Sequence, residues 1–389
     1  MTSKYCCRDR SDVFIRILNK MNTSDWYKVA EEDKLQTPGL LVFPERIKKN
    51  IASMIKIAGS TERLWPHVKT YKMAKVIDLQ MEAGIRRFKC ATLGEVALLI
   101  SCGVEQILLA LQPTKEKLAQ FIKYQKKHPS IQFSTLVDNL DSLAIFNKLA
   151  QEQDVKLNLW VDINNGMNRT GIVPEMAAEL YRVIVESSSL TSLGLHVYDG
   201  HLRPLDLEDK IIQSTNAFEA VDDLIKKLNQ NGIKVPTIIA GGSPSFYPHS
   251  LRSNVVLSPG TTLLWDLGYK RIWKESPFLN AAVVVTRLIS KPNKNIFCFD
   301  LGHKAIASEM SLPRVEIFGL EKAVHKGQSE EHLILEYKQE NNFKVGDLFY
   351  AIPYHICPTV AKYNKAYTVT EGELGTPWEI EARSYHLSF

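Results

Sequence analysis

Cysteine is scarce in this chain: six residues in 389 (Cys6, Cys7, Cys90, Cys102, Cys298 and Cys357), with no repeating spacing. That excludes a disulfide framework and suits a reducing compartment. No run approaches the roughly 20 apolar residues needed to cross a bilayer, so no membrane partner is expected. The leading MTSKYCCRDRSDVF lacks an apolar core of signal-peptide length. A concentrated basic face is also missing. The formal net charge of +5 is spread along the chain, and the densest run, Lys123 to Lys127 with His128, reads as a solvated helix end. Nucleic acid is therefore not an expected partner. A cytoplasmic protein is the plain expectation.

What is present is ordinary globular composition, 45% apolar and 23% charged, in a chain long enough for two domains. Over residues 38–268, short β-branched or apolar runs alternate with longer amphipathic stretches. Strand candidates include Gly39–Phe43, Leu64–Val68, Arg87–Ala91, Gln106–Ala110, Gln132–Val137, Leu157–Ile163, Ser192–Val197, Thr237–Ala240 and Val255–Leu257. Eight or nine such βα units predict an α/β fold, a TIM-type (β/α)8 barrel. From Phe278 onward the pattern turns strand-rich, as in VVVTRLIS, NIFCFDLG and LFYAIPY. Residues 269–389, joined by 21–37, are expected to form a C-terminal antiparallel β domain. Residues 1–20 carry no pattern and are a candidate disordered segment.

Several strand ends carry reactive residue types. Trp65-Pro66-His67-Val68-Lys69-Thr70-Tyr71-Lys72 sets a lysine at the carboxyl end of an early barrel strand, the face where barrel enzymes build their sites. A desolvated lysine there can attack a carbonyl; spacing alone equally allows Lys69, Lys72 and Lys75 to be charges solvating a helix start. Val161 to Gly171 reads by pattern as a βα loop containing Arg169, and Tyr198 and His201 follow another strand. Gly241-Gly242-Ser243 and Ser258-Pro259-Gly260-Thr261-Thr262 follow the last two barrel strands, where barrels commonly bind phosphate. In the β domain, His355 and Cys357 are two apart; in an extended chain such residues point to one side and can share an ion.

PHVKTYK resembles the Pro-His-x-Lys-Thr-His-Lys motif of the D-threonine aldolase and D-serine dehydratase family, with Tyr71 replacing the second histidine. These are fold-type III pyridoxal-phosphate enzymes with an alanine racemase-like barrel. The resemblance begins at Thr37-Pro38-Gly39-Leu40-Leu41-Val42 and extends over about nine tenths of the chain. It implies that Lys69 carries pyridoxal 5'-phosphate as an imine, with His67 beside it. Arg169 would lie near the cofactor's phenolic oxygen and Tyr198 near its ring, with His201 a weaker candidate for substrate or metal. Gly242, Ser243, Gly260 and Thr261 would hold the phosphate. The resemblance also makes His355 and Cys357 a metal pair just before Pro358-Thr359. A thiolate with an imidazole favours zinc over manganese or magnesium. Asp300-Leu301-Gly302-His303-Lys304-Ala305 resembles a further family loop, and is equally readable as a tight turn of the β domain.

The implied chemistry is a lyase reaction on a D-β-hydroxy-amino acid. Lys69 would move the α-proton while the metal acts on the β-hydroxyl. The His-x-Cys pair looks more like D-serine dehydratase, giving pyruvate and ammonia. D-threonine aldolase is the alternative and an amino-acid racemase the third. A homodimer is the implied assembly.

Overall fold

The computed structural model describes residues 25–384, so the expectation for residues 1–20 lies outside the described residues. Seven parallel strands run in sequence order: Arg87–Cys90, Gln106–Leu109, Gln132–Val137, Leu157–Ile163, Leu190–Val197, Thr237–Ala240 and Val256–Leu257. Leu64 to His67 closes the ring. Leu64 bridges Leu257 on one side, and His67 bridges Lys89 on the other. Trp65 N–H donates to Leu257 O, and Lys89 N–H to Pro66 O, both at 2.8 Å. Pro66 has no N–H to extend the ladder, which accounts for an eighth position held by single bridges.

Helices follow the strands because the sequence starts them with capping side chains. Thr92 accepts the Glu95 N–H at 3.1 Å, and Asn139 accepts the Ser142 N–H at 2.8 Å. Asp206 caps the Leu207–Gln230 helix through the Glu208 and Asp209 amides. Such caps contribute about 1 kcal/mol each. Inside the ring, Trp65, Leu108, Leu136, Trp160 and Ile239 form a separate apolar layer. The Trp65 and Trp160 rings meet edge to face at 5.3 Å. The barrel is thus a packed core, leaving its upper mouth for chemistry.

The second unit is a ten-stranded sheet built mostly of antiparallel pairs. One assignment is corrected here. Gly39–Val42, counted with the barrel from its sequence, lies in this sheet instead. It pairs antiparallel with Ala282–Asn293 and parallel with Lys365–Thr370. All four of its residues are buried, and a strand buried on both faces reads the same in a barrel as in the centre of a mixed sheet. Val324–Gln328 was not expected as a strand; it is a polar sheet edge without apolar alternation.

Candidate active site

The site begins where the Leu64–His67 edge turns into a single 3-10 turn, Val68–Thr70. Lys69 projects from this turn and lines a cavity of about 460 Å³ at the barrel mouth. Its backbone N–H donates to His67 Nδ1 at 3.3 Å. His67 is buried, and desolvation with the nearby Lys69, Lys89 and Lys72 cations keeps its imidazole well below the usual range. Lys75 faces solvent and pairs with Asp78. Lys72 is ion-paired with Glu95, whose second oxygen accepts the Ala91 N–H at 2.6 Å. Tyr71 points into the core, where Gln80 donates to its hydroxyl. The residue that departs from the family motif therefore lies away from the cavity.

Tyr198, Gly242, Ser243, Gly260 and Thr261 share this cavity with Lys69. The two glycine loops are tied together: Ser243 Oγ accepts the Gly260 N–H at 3.1 Å and the Thr261 N–H at 2.9 Å. A Cβ on Gly242 would come within 2.6 Å of the Tyr198 ring, and one on Gly260 within 3.0 Å of His67 O. Ser258 Oγ is buried without a hydrogen-bond partner and also lines the cavity. A phosphate needs a close-approach cradle with spare polar atoms, so these residues fit pyridoxal phosphate. Arg169 is exposed, with its guanidinium 4.9 Å from the Tyr198 ring centroid. His201 and Asp300 do not line the cavity. Asp300 accepts from Thr286 Oγ1 at 2.6 Å, the Arg287 N–H at 2.8 Å and Thr37 Oγ1 at 2.5 Å, so it fastens the β domain.

His355 and Cys357 come from the β domain and line the same cavity. Their local geometry corrects the extended reading. His355 is extended (φ −136°, ψ 101°), but a short helix, Ile356–Val360, starts at the next residue. On a regular helix the pair would diverge by about 200°. The break between extended and helical backbone lets both side chains line the one cavity. Burial would raise the Cys357 thiol, but His355 outweighs it and holds the thiol low. Burial likewise opposes charge on His355, yet Cys357, Glu309 and Asp266 raise it to about 9. Glu309 contacts His355 Nδ1. Asp266 accepts the Ile356 N–H at 3.0 Å and so anchors this loop to the barrel. No cluster of three ligating side chains occurs among the described residues. Two soft donors at a cavity wall fit a divalent cation whose other positions belong to water or substrate.

A buried chain of polar residues was missed. Lys89 Nζ lies 3.1 Å from His196 Nε2, and His196 Nδ1 lies 2.6 Å from Asp162 Oδ1. Each residue stands between two apolar neighbours on its strand, as in Phe88-Lys89-Cys90. Period-two alternation turns all three into the barrel interior, and that was the available signal. Arg203 and Glu95 also line the cavity and were missed, because nothing local marks them.

With this geometry in view, comparison with known proteins identifies the class. Residues 42–266 match the alanine racemase N-terminal domain family, and residues 281–369 the family described as "Putative serine dehydratase domain". The chain belongs to the alanine racemase N-terminal domain family. It is a fold-type III pyridoxal-phosphate enzyme of the lyase class. It is 25% identical to the 3-hydroxy-D-aspartate aldolase of Paracoccus denitrificans (strain Pd 1222), over 91% of this chain and 93% of the relative. D-threonine aldolase from Filomicrobium marinum superposes with a TM-score of 0.82 at 22% identity, covering 90% of this chain and 96% of that one. A cysteine-to-alanine variant of D-threo-3-hydroxyaspartate dehydratase, solved in a metal-free form, superposes at 0.79 with 20% identity, over 89% and 97%.

Proposed function

We propose that this lyase acts on D-β-hydroxy-amino acids as a metal-dependent dehydratase, with D-serine the simplest substrate. The observation that carries the reading is the convergence of His355 and Cys357, from one domain, on the cavity lined by Lys69 of the other. Further support comes from the related dehydratase, whose cysteine variant is a metal-free form.

Lys69, His67, Arg169, Tyr198 and the Gly242–Ser243 and Gly260–Thr261 loops would hold the cofactor. Pyridoxal phosphate, when bound, supplies an electron sink for charge developing at Cα. The Lys69 amine is the group placed to take or return a proton at that carbon. His355 and Cys357 would hold the metal, zinc in preference to manganese or magnesium on donor softness. A cation there supplies Lewis acidity toward a β-hydroxyl. Tyr269, Pro358 and Ala361 line the same cavity as the pair.

The second reading is an aldolase, favoured by the aldolases among the relatives. The same residues would serve it, with the hydroxyl proton leaving and Cα–Cβ breaking to give glycine and an aldehyde. A homodimer is part of the reading on family grounds, checked by light scattering. The deciding experiment incubates the holoenzyme with D-serine, D-threonine and D-threo-3-hydroxyaspartate, with and without chelator. A chelator-sensitive 2-oxo acid with ammonia supports the dehydratase. Glycine with an aldehyde from the same substrates overturns it in favour of the aldolase.

A further inference from the structure

The residues expected to meet the cofactor leave Lys89 without a role, although it lines the same cavity. Its environment is unusual for a lysine. It is 3% exposed, and its ammonium has no carboxylate in direct contact among the described residues. Its partner is His196 Nε2 at 3.1 Å. The Asp162 carboxylate can only accept, so His196 Nδ1–H donates to Asp162 Oδ1 at 2.6 Å, and Nε2 of the neutral ring is left to accept from Lys89. Asp162 Oδ2 is held in turn by Gln112 Nε2 at 2.7 Å and Thr170 Oγ1 at 3.0 Å. The register reinforces this line, because Asp162 and His196 are directly opposed on neighbouring strands. The carboxylate thus reaches Lys89 only through an imidazole.

Other charges face Lys89 from each side. Lys69 and Arg169 disfavour its proton, Asp162 favours it, and the Tyr198 ring lies 5.8 Å away. Burial is the largest influence, and together these bring Lys89 down to about 7. The cavity lining is itself unbalanced: Lys69, Lys72, Lys89 and Arg203 stand against Glu95, which Lys72 already engages. Cys357 is matched by His355 as Glu95 is by Lys72, so the remaining cations of the lining have no anionic partner in it until a ligand brings one.

Taking the cavity as the cofactor site, we propose that Lys89 is a cofactor-binding residue that takes up a proton when anionic pyridoxal phosphate arrives. The phosphate and phenolate carry negative charge into a poorly solvated cavity, which favours the charged form of a nearby amine. Solvent supplies the proton. The His196–Asp162 pair steadies the resulting ammonium without neutralising it. The empty enzyme therefore avoids carrying a full extra buried cation beside Lys69, and the loaded enzyme has one.

The test is calorimetric and independent of turnover. Cofactor-free full-length protein is titrated at pH 8 with pyridoxine 5'-phosphate, which has no aldehyde and cannot link to Lys69. Buffers of different ionisation heat report the protons taken up per site. The wild-type protein is expected to take up nearly one proton more than Lys89→Arg, whose charge is fixed; protons moved on the ligand itself cancel in that difference. Lys89→Arg should retain binding, while Lys89→Met should bind at least tenfold more weakly and show no extra uptake. Equal uptake by wild type and Lys89→Arg overturns the proposal while leaving the cavity assignment standing. Failure of the wild-type protein to bind the analogue overturns both.

Discussion

Cys357 Sγ lies 3.1 Å from Thr70 Oγ1, so the candidate metal ligand of the β domain is hydrogen-bonded to the residue next to Lys69. Thr261 Oγ1, on the second glycine loop, approaches the same sulfur at 3.4 Å. One sulfur thus joins the lysine turn, a phosphate-loop candidate and the candidate metal pair.

Replacing Lys69 by Ala should abolish the visible absorbance that the cofactor acquires when linked to a lysine, and with it all turnover. Lys72 and Lys89 line the same cavity, so absorbance spectroscopy of the variant discriminates among the three. Persistence of the band would move the linkage to one of the other two.

Glu309 touches His355 from outside the cavity and is expected to orient it. Outer partners of metal-binding histidines are typically worth about 10- to 100-fold in affinity. Glu309→Gln should therefore lower metal affinity by about tenfold with little change in unfolding midpoint. Competition with a chromogenic chelator measures it; unchanged affinity would reduce Glu309 to a surface contact.

The Lys72–Glu95 pair is buried on both sides. Removing one partner of such a pair typically costs about 3 kcal/mol. Glu95→Gln should destabilise the protein by about that amount in urea unfolding. A loss under about 1 kcal/mol would show that the pair behaves like a surface one.

His67 and His196 both have imidazole pKa values lowered, mainly by burial. The unfolded chain takes up a proton on each near pH 6.5, while the folded chain resists. Their contribution to stability is thus fully present above about pH 6.5 and declines as the pH falls below it, by up to about 1.4 kcal/mol per unit for each group. His67→Gln should flatten this decline between pH 6.5 and 5.5 in denaturant titrations. An unchanged slope would mean that the folded protein protonates His67 freely.

Much of the candidate site's lining was legible because its parts are local. Lys69, the two glycine loops and the His355–Cys357 pair each form a short run of diagnostic residue types, and the cavity gathers them. The Lys89–His196–Asp162 chain joins residues from three strands, with 107 positions separating Lys89 from His196. Each alone reads as an isolated polar residue in a strand. Fold membership failed at Gly39–Val42 for a related reason. Its apolar run specifies a buried strand, but its pairing partners are set by chain more than two hundred positions away.

That strand makes the barrel an insertion within the β domain. Leu41 pairs with Val283 on one side and Tyr367 on the other, so the barrel is bracketed by chain that belongs to the sheet. During synthesis this strand must wait, unpaired, until the entire barrel has emerged. Formation of the sheet is therefore a late, long-range step, of the kind that slows folding. No single proteolytic nick can free the barrel from the sheet; two are needed, one on each side of it.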